Sequence, residues 1–158
     1  MSRLTREGQL VTEIVLAVFR LNRQLLDAGD ELTAPVGLTS ARWQVLGIVE
    51  HGPSPVAEIA RAMGLTRQSV QETANGLRVD GFIEFARNPR HRRAKLLVMT
   101  PKGCAAMGIV RRRHASWANA LGERHQEAAL EPVVSLLCEI RATLEESVAS
   151  SSAEEIAS

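Results

Sequence analysis

Aromatic residues and cysteine are scarce in this 158-residue sequence. Aromatic side chains make up 3% of it and tyrosine is absent, whereas 45% of its residues are hydrophobic, so the predicted core is aliphatic and mostly helical. The two cysteines, Cys104 and Cys138, lie far apart and belong to no CxxC or Cys/His cluster with metal-ligand spacing. We therefore expect no disulfide framework and no metal site, and both thiols are predicted to pack as small hydrophobes in a reducing cytoplasm.

Long apolar runs and catalytic motifs are also missing from the sequence. No apolar stretch approaches the length that crosses a bilayer, and the first residues lack the charged and then apolar order of a signal peptide. There is no nucleophile elbow, phosphate-binding loop, paired-carboxylate pattern or metal motif. The sequence thus predicts a cytoplasmic protein without membrane association that is neither an enzyme nor dependent on a cofactor.

Acidic residues are absent from one long stretch, residues 85–122, although the chain as a whole is almost neutral. Residues 1–84 carry eight basic and ten acidic side chains, and residues 85–122 carry nine basic side chains and no acidic one. Residues 123–158 carry two basic and eight acidic side chains, so the three segments together give the net charge of +1. A span of this kind presents a positive surface, which favours a polyanion as its partner.

Helical periodicity marks both ends of a single predicted domain, residues 1–158. Hydrophobic residues step by three and four along residues 4–33 and along two helices within residues 101–148. These seams exceed what a small core needs, so they predict the dimerisation helices of a homodimer. The interface candidates are Val11, Ile14, Val18 and Val133. Pro132 either starts the last helix or kinks it, and the serine-rich segment 149–158 is predicted to be a disordered tail.

Residues 36–100 show the pattern of a winged helix-turn-helix. Thr39 and Thr66 suit N-caps, and Ser54 with Pro55 suits the cap and first residue of the helix between them. A short glycine-containing turn joins that helix to the next, after which "FIEFAR" and "AKLLVM" read as strands flanking "NPRHRR". The expected fold is mostly α with a small β-hairpin wing, placed between terminal dimerisation helices.

Two predicted elements carry residues suited to duplex DNA. Polar side chains at the start of the helix from Thr66 can pair with base edges in the major groove, and wing cations can reach phosphates or a narrow minor groove. The plainer interpretations are the solvated face of an amphipathic helix and a solvated basic turn. The predicted DNA-binding residues are Thr66, Arg67, Gln68, Ser69, Gln71, Asn75, Arg90, Arg92, Arg93 and Lys95.

The wing and its flanks resemble those of the MarR family of bacterial transcription regulators. "HRRAKLLVMT" is similar to the family pattern Asp-x-Arg, five residues, Leu-Thr, and "TPKG" follows it; "LTSARWQVL" and "LRVDGFIEFARNPRHRR" are also similar. His91 stands where the pattern has Asp, and Met99 stands where it has Leu. In the family that Asp is thought to steady the wing arginine, here Arg93, so Arg92 could share or take over the role of Arg93.

The resemblance implies a homodimer that binds palindromic duplex DNA, usually as a repressor and often released by a small-molecule effector. It also implies an effector pocket that Trp43 could line, although Trp43 and His114 on apolar faces are more often core or interface residues. The alternative is a winged-helix module for protein–protein interaction, which usually lacks a basic wing.

Overall fold

The computed structural model describes residues 3–156, with side chains described as far as residue 147. Its elements in chain order are α1 Arg6–Thr33, a 3-10 turn Ala34–Val36, α2 Ser40–Val49, β1 Ser54–Pro55, α3 Val56–Met63, α4 Arg67–Val79, β2 Ile83–Ala86, β3 Leu96–Met99, α5 Pro101–Gly122 and α6 Glu127–Ile156. The strands form one antiparallel sheet in the order β1-β3-β2. The predicted fold class, mostly helical with a small β wing, is confirmed.

Local capping explains where the short helices begin and end. The Thr39 hydroxyl accepts the Arg42 N–H at 3.3 Å, and the Thr66 hydroxyl accepts the Ser69 N–H at 3.1 Å, so both predicted N-caps are confirmed. Gly64 ends α3 with φ at 65°, the left-handed conformation that closes many helices. The residues at its two ends, Gly64 and Thr66, therefore determine the turn between α3 and α4.

The start of α3 differs from the prediction. Ser54 and Pro55 do not cap and open this helix; they form β1, with Ser54 opposite Leu97 and Pro55 opposite Leu96 of β3. The Ser54 hydroxyl donates to the Gly52 carbonyl at 3.1 Å instead of capping. A residue before proline is held in an extended conformation, which suits a strand better than a helix. The wing consequently has three strands where two were expected.

The hydrophobic core lies where α2, α3, α4, the sheet and the first half of α5 meet. Leu46, Ile59 and Leu77 are fully buried there, and each such side chain contributes roughly 1.5–3 kcal/mol relative to an exposed one. Met107 and Val110 of α5 are buried in the same cluster. The first turns of α5 thus complete the winged-helix core, although the whole of 101–148 was expected to serve dimerisation.

Polar contacts join α1 to α2 and α5. Asp30 Oδ1 accepts the Ser40 N–H at 2.6 Å, so α1 provides a partner for the first backbone donor of α2. The buried Thr33 hydroxyl hydrogen-bonds to the Leu38 carbonyl at 3.0 Å. Arg113 Nε of α5 donates to the Leu32 carbonyl at 2.8 Å. Leu32 lies in the last turn of α1, where a cation is stabilised by the negative end of the helix dipole.

The chain divides into two compact units, one ending at His114 and one starting at Ala115. In the first unit, α1 exposes many apolar side chains, including Val11 and Val18. In the second, Pro132 lies inside α6, which settles the two alternatives in favour of an internal position. The backbone of α6 continues through 149–156, where a disordered tail was expected, and residues 157–158 lie outside the described residues.

Both cysteines are exposed, so the prediction that the thiols pack as buried hydrophobes is wrong for this chain. Cys104 lies in the first turn of α5 and Cys138 within α6. No helix within residues 3–156 combines the length and the apolar character needed to cross a membrane. Among the same residues, no group of three or more His, Cys, Asp and Glu side chains is arranged to hold a metal ion.

Candidate nucleic-acid interface

Helix α4 divides cleanly into a buried face and an exposed face. Val70, Ala74 and Leu77 step by four and three and are buried in the core. This spacing turns the side chains of Gln71 and Asn75 outward, together with those of Arg67 and Gln68. The exposed face is polar from Arg67 through Asn75, as a helix that enters a DNA groove requires, and it ends in the exposed apolar side chain of Val79.

Hydrogen bonds to neighbouring side chains hold the exposed amides of α4. Gln71 Nε2 donates to Asn75 Oδ1 at 3.0 Å, and Gln68 Nε2 donates to Glu72 Oε1 at 3.2 Å. Both pairs are four residues apart, the spacing at which helical side chains meet. Each amide keeps donor and acceptor capacity for a base edge, since one hydrogen bond uses only part of it.

The turn of the wing is shaped by Asn88, a residue that the sequence interpretation did not single out. Asn88 is buried, and its Oδ1 accepts the Arg90 N–H at 2.9 Å, which forms an Asx turn ahead of the cationic tip. The Ala94 N–H donates to the His91 carbonyl at 3.1 Å and closes the far side of the tip. An Asn before a Pro is a turn signal, and this signal could have identified Asn88 from the sequence.

A cleft with a volume of about 670 Å³ separates α4 from the wing. It is lined by Val56, Ala57, Arg67, Gln68, Gln71, Asn75, Arg78, Phe85, Arg93, Ala94 and Lys95. The lining includes four cationic side chains and no carboxylate. The structure therefore brings together six of the ten predicted DNA-binding residues in one concave surface.

Arg78 is a further cation in the cleft that the sequence interpretation missed. Its guanidinium carbon lies 5.8 Å from the ring centroid of Phe85, within cation–π range, so the arginine extends from α4 toward β2. Arg78 follows Asn75 by three residues and Gln71 by seven, which puts it on the same helix face. That spacing is the sequence signal from which Arg78 could have been identified.

The cleft cations are electrostatically unsatisfied within the described side chains. None of Arg67, Arg93 and Lys95 forms an ion pair there, and the same holds for the wing-tip residues Arg90 and Arg92. Like charges at this density repel one another in the absence of a counterion. An anion that entered the cleft would relieve that repulsion.

The other predicted site residues lie outside the cleft lining. Thr66 and Ser69 lie at the start of α4, where the Thr66 hydroxyl is already engaged in capping. Arg90 and Arg92 lie at the exposed tip of the wing, so of the two neighbouring arginines only Arg93 lines the cleft.

The predicted effector and interface residues belong to other surfaces. Trp43 is half-buried on α2, and its ring meets the ring of His114 edge to face with centroids 5.2 Å apart. Val11, Ile14 and Val18 lie on α1, and Val133 lies on α6.

A capped helix-turn-helix, a three-stranded wing and a cationic cleft between them define a winged-helix DNA-binding protein. The model of the MarR family matches residues 36–94. Uncharacterized protein Rv2011c of Mycobacterium tuberculosis is 37% identical over 121 residues, which cover 77% of this chain and 85% of the relative. This chain belongs to the MarR family of transcription regulators.

Two of the proteins that this chain is similar to are named as transcription regulators, BadR and CouR. Transcriptional activatory protein BadR of Rhodopseudomonas palustris is 27% identical over 100 residues, which cover 60% of this chain and 57% of BadR. The structure of the transcriptional repressor CouR bound to a 23-mer DNA duplex has a TM-score of 0.74 at 26% identity, covering 89% of this chain and 99% of CouR. CouR from Rhodococcus jostii RHA1 bound to p-coumaroyl-CoA has a TM-score of 0.73 at 20% identity, covering 83% and 93% of the two chains.

Proposed function

We propose that this protein binds a palindromic operator in duplex DNA as a homodimer and represses transcription there. The cleft between α4 and the wing is the observation that carries this proposal, because its four cations face no carboxylate. A phosphate backbone supplies the missing countercharge, and the exposed face of α4 has the polar side chains that read a major groove. The DNA-bound CouR structure supports the same use of the fold.

Within that complex, helix and wing contact different parts of the duplex. Arg67 pairs with guanine, and Gln71 and Asn75 pair with adenine, because those side chains match the major-groove edges of these bases. Arg93 and Lys95 neutralise phosphates beside the groove. Thr66, Gln68 and Ser69 contact base edges or phosphates at the start of the helix, and Arg90 and Arg92 extend from the wing tip toward the minor groove.

The homodimer rests on apolar side chains that the single chain leaves exposed. On α1, 47% of Val11 and 40% of Val18 are accessible to solvent, and Ile14 lies between them on the same face. On α6, 53% of Val133 is accessible. Apolar patches of this extent usually mark an interface, and two-fold pairing would set the two reading helices about 34 Å apart, one turn of DNA.

Repression and release complete the proposal. CouR is named as a repressor and has been seen with p-coumaroyl-CoA bound, which supports repression that a small ligand releases. BadR is named as an activator, so activation is the outcome that would contradict this part of the proposal. We assign Trp43 to the effector site because its half-buried ring offers apolar surface to an aromatic or acyl ligand. The proposed site of action is the cytoplasm, since the partner is chromosomal DNA.

Fluorescence anisotropy on the DNA upstream of the protein's own gene tests the proposal. We expect tight binding to that duplex, weaker binding to a shuffled duplex of equal composition, and a steep loss of affinity with salt. Footprinting should show two half-sites related by a dyad. Equal binding to both duplexes, or binding to neither, would overturn the proposal, and the second result would favour the protein–protein interaction module.

A further inference from the structure

The C-terminal end of α4 is held by cations from two other helices. Arg42 of α2 donates from Nη1 to Asp80 Oδ2 at 2.7 Å, and Asp80 is the residue that caps α4. Lys102 of α5 donates from Nζ to the Asp80 carbonyl at 2.6 Å and lies 4.5 Å from the ring centroid of Phe82. Cations are favourable at this end of a helix because its carbonyls carry partial negative charge.

Gly76 provides the space that the Arg42 contact needs. The guanidinium of Arg42 passes directly over Gly76, so that a Cβ added there would lie 2.8 Å from Nη2 of the arginine. Glycine is a poor helix former, and Gly76 lies well inside α4. The close approach gives a physical reason for a glycine at a position where helix propensity alone favours alanine.

The Arg42–Asp80 pair is poorly suited to a role in stability. The Arg42 side chain is 26% exposed and that of Asp80 is 45% exposed, and ion pairs with this much solvent access contribute little to folding. The pair nevertheless joins residues 38 positions apart and connects α2 to the far end of α4. Its effect is therefore expected on the orientation of α4 and not on its formation.

We propose that Arg42 is a positioning residue for DNA reading: through Asp80, and over Gly76, it sets the angle at which α4 presents Gln71 and Asn75. This inference depends on the proposed function. The Thr66 cap and the preceding turn hold the first residues of α4, and the Arg42–Asp80 pair holds the last. Hydrogen bonds to base edges weaken steeply with misplacement, so a reading helix must be held to within about 0.5 Å.

Gly76→Ala in the full-length protein is the sharpest test. The added methyl group displaces the guanidinium, while alanine favours the helix, so the melting temperature should be unchanged or higher. The ratio of affinity for the operator to affinity for a shuffled duplex should fall about tenfold, the size of one lost base contact. Affinity for the shuffled duplex and its salt dependence should remain as in the wild type.

Two further variants separate this role from a general disturbance. Asp80→Asn should lower the operator-to-shuffled ratio as Gly76→Ala does, and Arg42→Ala combined with Gly76→Ala should be no worse than Arg42→Ala alone, because both act on one contact. Glu50→Gln is the matched control. It weakens the ion pair between Arg111 and Glu50, the residue that caps the C-terminal end of α2; this pair involves no residue of α4, so the ratio should remain unchanged.

The outcomes distinguish this inference from the function on which it depends. A wild-type protein that prefers its operator, with Gly76→Ala and Asp80→Asn within twofold of its ratio, would overturn only the positioning role. An equal fall in Glu50→Gln would also overturn it, because the effect would not be particular to α4. A wild-type protein with no operator preference would overturn both proposals.

Discussion

Helix α4 and the wing form the two sides of one cleft, but their exposed side chains are held by different contacts. The helix is capped at Thr66, its exposed amides are hydrogen-bonded in pairs, and its far end is bound to Arg42. The wing tip is held by the Asn88–Arg90 turn, and its guanidinium groups have no ion-pair partner among the described side chains. Reading a base requires fixed geometry, whereas attraction to phosphate requires mainly charge. We therefore propose that α4 supplies specificity and that the wing supplies sequence-independent affinity.

The largest expected effect comes from removing the wing cations of the cleft. Arg93→Ala with Lys95→Ala should weaken binding on the order of 50-fold at 0.1 M salt, because two phosphate contacts are lost. The salt slope should fall by about 2, and operator and shuffled DNA should suffer alike. A salt titration of the anisotropy measures both quantities.

Arg20→Ala with Arg23→Ala is the matched control for this pair, since it removes the same charge from exposed positions on α1. Its salt slope should remain close to that of the wild type. If the wing variant lost affinity for the operator alone, the proposed division between specificity in α4 and sequence-independent affinity in the wing would be wrong.

A smaller and more selective effect is expected from the reading helix. Gln71→Ala should lower the preference for the correct base about tenfold at one position of each half-site, because one base-edge contact per half-site is removed. Competition with operators substituted one base pair at a time would locate it. An unchanged salt slope is expected as well; a reduced slope would mean that Gln71 contacts the backbone and that α4 shares the function of the wing.

The order of α4 itself depends on its cap. Thr66→Ala should lower the free energy of unfolding by about 1 kcal/mol, because the Ser69 N–H loses its partner. Urea unfolding measures this change as a lower midpoint with an unchanged slope. Thr73→Ala serves as the control, since the Thr73 hydroxyl donates to the Ser69 carbonyl one turn earlier and caps no backbone N–H, and alanine is the better helix former. Equal midpoints for wild type and Thr66→Ala would contradict the capping role.

The smallest effect is expected at the turn of the wing. Asn88→Ala removes the acceptor for the Arg90 N–H, so affinity for all duplexes should fall about twofold, corresponding to a hydrogen bond of modest net value. Asn88→Ser should lie between alanine and the wild type, because a serine hydroxyl forms the same turn more weakly. A large loss confined to the operator would show that the wing reads sequence.

Local chemistry accounts for what could be predicted from the sequence. The caps at Thr39 and Thr66, the polar face of α4 and the basic wing follow from neighbouring residues, and so does the resemblance to the family. Ser54 and Pro55 were misassigned because a capped helix start and an extended strand have the same local signature. Their partners in β3 lie about forty residues away, and only pairing across the sheet distinguishes the two.

The amino-acid sequence by itself determined the helices, the two longer strands, their order and the concentration of positive charge, because capping, periodicity and composition act over a few residues. The tertiary structure decided which of those elements meet. It placed Arg78 and Arg93 on opposite sides of one cleft, buried Asn88 in the turn of the wing, and brought Arg42 over Gly76 to the end of α4. Contacts between distant residues depend on how the core packs, and no local pattern encodes that packing.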